Sequence, residues 1–146
     1  MQKVCILGVG RQGSAAAYDI LKYNKPQQLL LLDNNHDSLK RTISKVNRVK
    51  DDNTEIIAEV IDLNDSQKLI KLLTPFDIFL SAVPYQFNLQ LTKVALSSKT
   101  SMVDLGGHTK NVIKQLSYDE SSKKNNIAIV PDCGMGPGMN ISMALL

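Results

Sequence analysis

The chain has 146 residues, 43% of them hydrophobic and 21% charged, a size and balance that bury the core of one ordinary domain. Lys and Arg outnumber Asp and Glu by 17 to 14, and the cations are scattered, which argues against the basic stripe that nucleic acid requires. Two cysteines, Cys5 in an apolar run and Cys133 in a glycine-rich segment, form neither a disulfide framework nor a metal-ligand pattern, so no metal is expected and a reducing cytoplasm suits the chain.

At the N-terminus, Lys3 ahead of an apolar run imitates a secretion signal, but Arg11 and Gln12 interrupt the run early. No other stretch approaches the roughly 18 apolar residues of a membrane span, and no membrane partner is expected. Short apolar runs at residues 4–7, 29–32, 56–61, 78–82, 102–105 and 127–130 predict strands. Their richness in Ile, Leu and Val predicts burial on both faces of a parallel sheet. Helical spacing fills residues 12–22, 38–46, 66–73, 88–97 and 111–124. The pattern βαβαβ, twice over, predicts a Rossmann-type doubly wound parallel α/β sheet of six strands in three layers. Its order is 3-2-1-4-5-6, with a ligand crevice beyond the carboxyl ends of strands one and four. Residues 47–54 read as a surface loop. Beyond Pro137 a fresh apolar helical pattern runs through residues 139–146 with no capping residue to end it. The expectation is a dinucleotide-binding domain over 1–137, with 138–146 opening a helix towards a substrate and dimerisation domain, through which the protein forms a homo-oligomer.

The first strand runs into GVGRQG, which sets Gly8, Gly10 and Gly13 in a GxGxxG pattern at the start of a helix. Gly8 suits the tight turn, Gly10 lets a pyrophosphate approach the backbone, and Gly13 lets the helix pack on its strand. The amides of Arg11 and Gln12, at the positive end of the helix dipole, suit the diphosphate. Three glycines also serve a plain strand-to-helix turn, so context carries the weight. Asp33 closes the second strand some twenty residues on, where a carboxylate accepts from the adenosine ribose hydroxyls and repels a 2′-phosphate. Asn34 joins it in the cofactor set, and no Arg stands at positions 34–36, which favours NAD over NADP. The alternative for Asp33 is a helix cap. Asp62 and Leu63 end the third strand beside the adenine, with Asp62 either accepting from the adenine amino group or capping the next helix.

After the fourth strand, Ala82, Val83 and Pro84 leave room for the nicotinamide half of the cofactor. Tyr85 and Gln86 follow, as substrate contacts or as packing. His108 is a candidate acid or base, or a solvated loop histidine. The run containing Gly136, Gly138 and Asn140 offers backbone amides to a substrate carboxylate, or forms a connector. Cys133 has no base or acyl-transfer motif around it and is not read as a nucleophile.

Taken together, GVGRQG, Asp33, SAVPYQFN, VDLGGH and IVPDCGMGPGMN resemble the saccharopine dehydrogenase-like family over essentially the whole chain, as its N-terminal cofactor domain, and within it the lysine 6-dehydrogenases. The resemblance implies an NAD-dependent oxidoreductase that transfers hydride between a carbon bearing an amine and nicotinamide, on a small amino-acid substrate; relatives act on saccharopine or carboxynorspermidine. It places the 84–87 segment and the 134–140 loop at the substrate, with Tyr85, His108 and Asp104 as candidate bases. Saccharopine-forming relatives carry an acidic residue where this chain has Gly136, which favours a simpler amino acid. The competing reading is an NAD-sensing regulatory domain without catalysis.

Overall fold

The computed structural model describes residues 2–136 and 138–145; the expected domain boundary at Pro137 and the final Leu146 lie outside them. Six strands, β1 (Lys3–Leu7), β2 (Gln28–Asp33), β3 (Glu55–Val60), β4 (Ile78–Ser81), β5 (Ser101–Asp104) and β6 (Ile129–Val130), pair in the order β3-β2-β1-β4-β5-β6. Every pairing is parallel, so all six carboxyl ends meet at one edge, as expected.

Alternation along β1 and β2 divides the core between the faces of the sheet. Val4, Ile6, Leu29 and Leu31 pack with Ala17 and Leu21 of α1 (Arg11–Tyr23) and with Leu39 and Val46 of α2 (His36–Val46). Cys5, Leu7, Leu30 and Leu32 pack on the opposite face with Leu69 and Leu73 of α3 (Ser66–Leu73) and with Leu91, Val94 and Ala95 of α4 (Asn88–Ser98). The fold is thus the doubly wound, three-layer α/β sheet read from the sequence. Truncating any one of these leucines to alanine costs about 2–5 kcal/mol.

Three expectations need correction. Burial on both faces holds for β1 and β2 but not for the edge strand β3, where Glu55 is exposed and Glu59 pairs with Lys68 at 2.6 Å. Strand β6 spans two residues only, because Ile127 N turns back to Ser122 O and Ala128 N bonds the Ser101 hydroxyl. The predicted helix over 111–124 is two helices, α5 (Thr109–Leu116) and α6 (Asp119–Lys124). Ser117 Oγ donates back to Lys114 O at 2.7 Å, a local bond that competes with helix continuation, and Tyr118 leaves helical geometry at φ −90°, ψ 9°. Asp119 and Glu120 then suit the dipole of a new N-terminus. The last helix, α7 (Met139–Ala144), buries none of its residues. No described helix is long and apolar enough to cross a membrane.

Candidate cofactor-binding site

The three glycines of the first turn have separable geometries. Gly8 stands at φ +85°, its N–H bonded to Leu32 O at 2.8 Å, and a Cβ there would press on Ala82 O at 2.8 Å. Gly13 is buried with its α-carbon facing the Gly8 carbonyl, which a side chain would strike. Gly10 differs: a Cβ built on it meets nothing within 4 Å, so the protein's own packing does not require a glycine there. That open space lies at the mouth of α1. Gly10 caps the helix without a side chain and the first helical bond is Ser14 N to Gly10 O, which leaves the amides of Arg11, Gln12 and Gly13 unmatched within the helix. No acidic residue occupies the first turn. The cradle therefore fits an anionic diphosphate in both shape and charge.

Asp33 faces this turn. Its Oδ2 accepts from Val9 N at 2.7 Å and its Oδ1 from Asn35 N at 2.8 Å, so the carboxylate clamps the glycine turn to the end of β2. The cap of α2 is Asn35, whose Oδ1 accepts from Asp37 N and Ser38 N, and the helix-cap alternative for Asp33 falls. Each carboxylate oxygen keeps a further lone pair for a sugar hydroxyl. Gly8, Gly10, Asp33, Asn34, Asp62 and Leu63 line one cleft, which continues past Ala82, Val83 and Pro84. The structure so brings together most of the predicted cofactor residues; Gly13 supports the turn from beneath. Asp62 Oδ1 is held by Asn64, through N and Nδ2, both at 2.9 Å. The cap of α3 is Asp65, so Asp62 does not cap the following helix.

A second concavity adjoins the cleft at Gly10. Arg11 and Ser14 from α1 face Ser38, Arg41 and Lys45 from α2 across it, and Arg41 Nη2 donates to Ser38 Oγ at 3.1 Å. Among the described residues none of the three cations is paired with a carboxylate. Inspecting only the positions directly after Asp33 misses these cations. The signal is present in the sequence as Ser38, Arg41 and Lys45 at helical spacing, one face of α2.

Over residues 4–130 the sequence matches the family described as the saccharopine dehydrogenase NADP binding domain. The chain belongs to this family. Among solved structures it is similar to the saccharopine dehydrogenase (L-Glu forming) of Saccharomyces cerevisiae, at 21% identity and a TM-score of 0.76 over 96% of this chain. It is also similar to the shikimate 5-dehydrogenase of Listeria monocytogenes, solved with shikimate and NAD, at 14% identity and a TM-score of 0.61 over 99% of this chain. A third likeness is to the shikimate dehydrogenase of Mycobacterium tuberculosis, at 13% identity and a TM-score of 0.63 over 90% of this chain. At such identities the likeness is one of fold. The chain spans 29% of the yeast enzyme, 56% of the Listeria enzyme and 46% of the mycobacterial one.

In this saccharopine dehydrogenase-type domain the loops after β4, β5 and β6 flank the far end of the cleft. Tyr85 and Gln86 lie on a single 3-10 turn, Tyr85–Phe87, directly after Pro84. The Tyr85 ring stacks on His108 with centroids 5.1 Å apart and planes within 4°, and Asn111 Nδ2 holds the Tyr85 carbonyl at 3.0 Å. Sequence spacing gives no hint of this stack. Gly136 lies against the Asn140 side-chain amide, and Gly138, at φ +127°, abuts Gly134. The amides of Met139 and Asn140 are taken by Gly134 O and Met135 O, so those two are not open to a carboxylate as expected. Asp104 is fully buried with both oxygens bonded and is not accessible as a base. Burial, then the charges of Asp104 and Asp132, raise the Cys133 thiol above its ordinary pKa, which accords with its exclusion as a nucleophile.

Proposed function

We propose that this chain is the cofactor domain of an NAD-dependent oxidoreductase acting on an amino-acid C–N bond, of the lysine 6-dehydrogenase or saccharopine dehydrogenase kind. The observation that carries the reading is the juxtaposition of unmatched α1 amides, the open face of Gly10 and the Asp33 carboxylate along one cleft. The diphosphate rests on the amides of Arg11 and Gln12, the adenosine ribose on Asp33 with Asn34 beside it, and the adenine between Asp62 and Leu63. Ala82, Val83 and Pro84 border the nicotinamide. When bound, that ring accepts or returns a hydride. The chain's own residues orient the two ends so that the reacting carbons meet. Tyr85 and His108, adjoining the nicotinamide end, hold or move the proton of the substrate amine, while Gln86, Gly136, Gly138 and Asn140 contact the amino acid. Association into a homo-oligomer, through a substrate and dimerisation domain, belongs to the same proposal.

The basic concavity supports a second reading, in which NADP is also accepted. A 2′-phosphate beside Asp33 would lie within reach of the field of Arg11, Arg41 and Lys45, and the family's own description names NADP. Calorimetric titration with NAD, NADP and ADP-ribose decides binding, and absorbance of reduced nicotinamide with lysine, saccharopine and a polyamine panel, measured on full-length protein that includes the substrate domain, decides chemistry. Micromolar NAD binding with turnover of one of these amines is expected. Tight binding with no turnover across the panel favours the sensing domain, and no binding at all refutes both readings.

A further inference from the structure

The loops that follow β5 and β6 are joined by two carboxylates. Asp104 has no exposed surface and makes no ion pair among the described residues. Its Oδ1 accepts from Gly106 N at 2.7 Å and from Asp132 N at 3.2 Å, and its Oδ2 from Gln115 Nε2 at 2.7 Å. Its carbonyl accepts from Cys133 N at 2.8 Å. Asp132 returns the connection, its Oδ1 accepting from Gly107 N at 3.2 Å. The bonds therefore cross, from the β5 loop to the β6 loop and back.

This joint concentrates local costs. Asp132 holds φ at +61°, a left-handed backbone that a residue with a side chain adopts at a penalty. Gln115, 2% exposed, turns its amide N–H groups to Asp104 and Thr92 and leaves its Oε1 buried without a partner. A buried carboxylate lacking a cation adds its own desolvation penalty. Apolar side chains in their place would leave the N–H groups of Gly106, Gly107 and Asp132 without these acceptors, so the two carboxylates determine the conformation of both loops.

What the joint does provide is a fixed spacing. On one side, Leu105, Cys133 and Gly134 share a groove with Gln12 of the glycine turn. On the other, a Cβ on Gly107 would lie 3.5 Å from the Tyr85 ring, and that ring stacks on His108. Asp104 and Asp132 thus set the distance between the diphosphate end of the cleft and the Tyr85–His108 stack.

We infer that Asp104 and Asp132 are positioning residues, which lock the β5 and β6 loops into a preformed seat for the nicotinamide half of the dinucleotide. The inference rests on the cofactor reading above. Asp132→Gly accepts the left-handed backbone but loses the bond to Gly107, whereas Asp132→Asn tolerates that backbone and keeps an oxygen for it. In the full chain, ADP-ribose affinity reads the adenosine and diphosphate contacts, and NADH affinity with its nicotinamide fluorescence reads the seat. For Asp132→Gly, ADP-ribose affinity stays unchanged, NADH binds about tenfold more weakly, and the bound emission moves towards that of free NADH. Asp132→Asn restores NADH affinity and bound emission, and Asp104→Ala, where it folds, behaves like Asp132→Gly. Parallel weakening of both ligands, no weakening of either, or failure of Asp132→Asn to restore NADH binding would overturn the role. A wild-type chain that does not bind ADP-ribose refutes the cofactor reading itself, and this inference with it.

Discussion

Replacing Asp33 with alanine separates the two electrostatic jobs assigned to one carboxylate. The substitution removes the clamp on Val9 N at 2.7 Å, the acceptors for the ribose hydroxyls, and a negative charge. Loss of the clamp loosens the glycine turn for every dinucleotide, so it cancels in a ratio of affinities. Loss of hydrogen bonds to a charged acceptor costs NAD about 1.5–3 kcal/mol. NADP gains from the removed repulsion. A phosphate monoester carries about −1.5 to −2 at neutral pH, and at about 5 Å in a water-like dielectric each unit of charge is worth about 0.8 kcal/mol, more where the site is drier. The two effects move the NAD-to-NADP preference in one direction by about 3 kcal/mol, roughly a hundredfold. Calorimetric or fluorescence titration of both cofactors, at low and at moderate salt, measures it. A preference that stays at its wild-type value would remove Asp33 from ribose recognition and leave it as a structural clamp.

Arg41→Ala should weaken NADP binding by about two- to fivefold while leaving NAD unchanged, the small size following from its exposure to solvent. It should also flatten the salt dependence of NADP binding, and equal losses for the two cofactors would deny the basic concavity a 2′-phosphate. Gly10→Ala should leave the urea midpoint nearly unchanged, since its φ of −64° and open surroundings accept a methyl group, yet abolish diphosphate binding. Gly13→Ala should instead destabilise the fold by about 1–3 kcal/mol, because the methyl strikes the Gly8 carbonyl; binding that survives Gly10→Ala would refute the cradle. Alkylation of Cys133 requires the thiolate, and burial together with Asp104 and Asp132 raises its pKa. The reaction rate should therefore rise through a midpoint more alkaline than the ordinary value of about 8.5, and Asp132→Asn should shift that midpoint downward. A midpoint at or below that of a free cysteine would contradict the assigned environment.

The sequence made legible those features that neighbouring residues determine. Runs such as 29–32 read as strands because β2 is buried on both faces, and the GVGRQG turn is legible because the positive φ of Gly8 and the approach of Gly13 to the Gly8 carbonyl both arise within one strand–turn–helix unit. Asp33 is legible for a similar reason, since the spacing from the glycine turn is set by one helix and one strand. The break of the fifth predicted helix at Ser117 was not, because its apolar spacing continues through a point where a hydroxyl takes the Lys114 carbonyl. Nor was the basic concavity, whose cations lie on two helices that meet only once both have packed on the sheet.

The Asp104–Asp132 joint was least legible of all. A carboxylate at a strand end looks, in sequence, like an accessible acid or base, and only the approach of a second loop reveals that its oxygens are spoken for. That approach has a further consequence. Strands β5 and β6 pair over just two positions, Met102 with Ile129 and Val103 with Val130, which fixes the relative setting of their loops weakly. The bonds from Cys133 N to the Asp104 carbonyl and from Asp132 N to its side chain continue the ladder past its last strand residue. A parallel pair this short keeps its loops in register chiefly through those bonds. The relative setting of the β5 and β6 loops therefore rests on the Asp104 and Asp132 side chains and one main-chain bond as well as on the sheet that supports them.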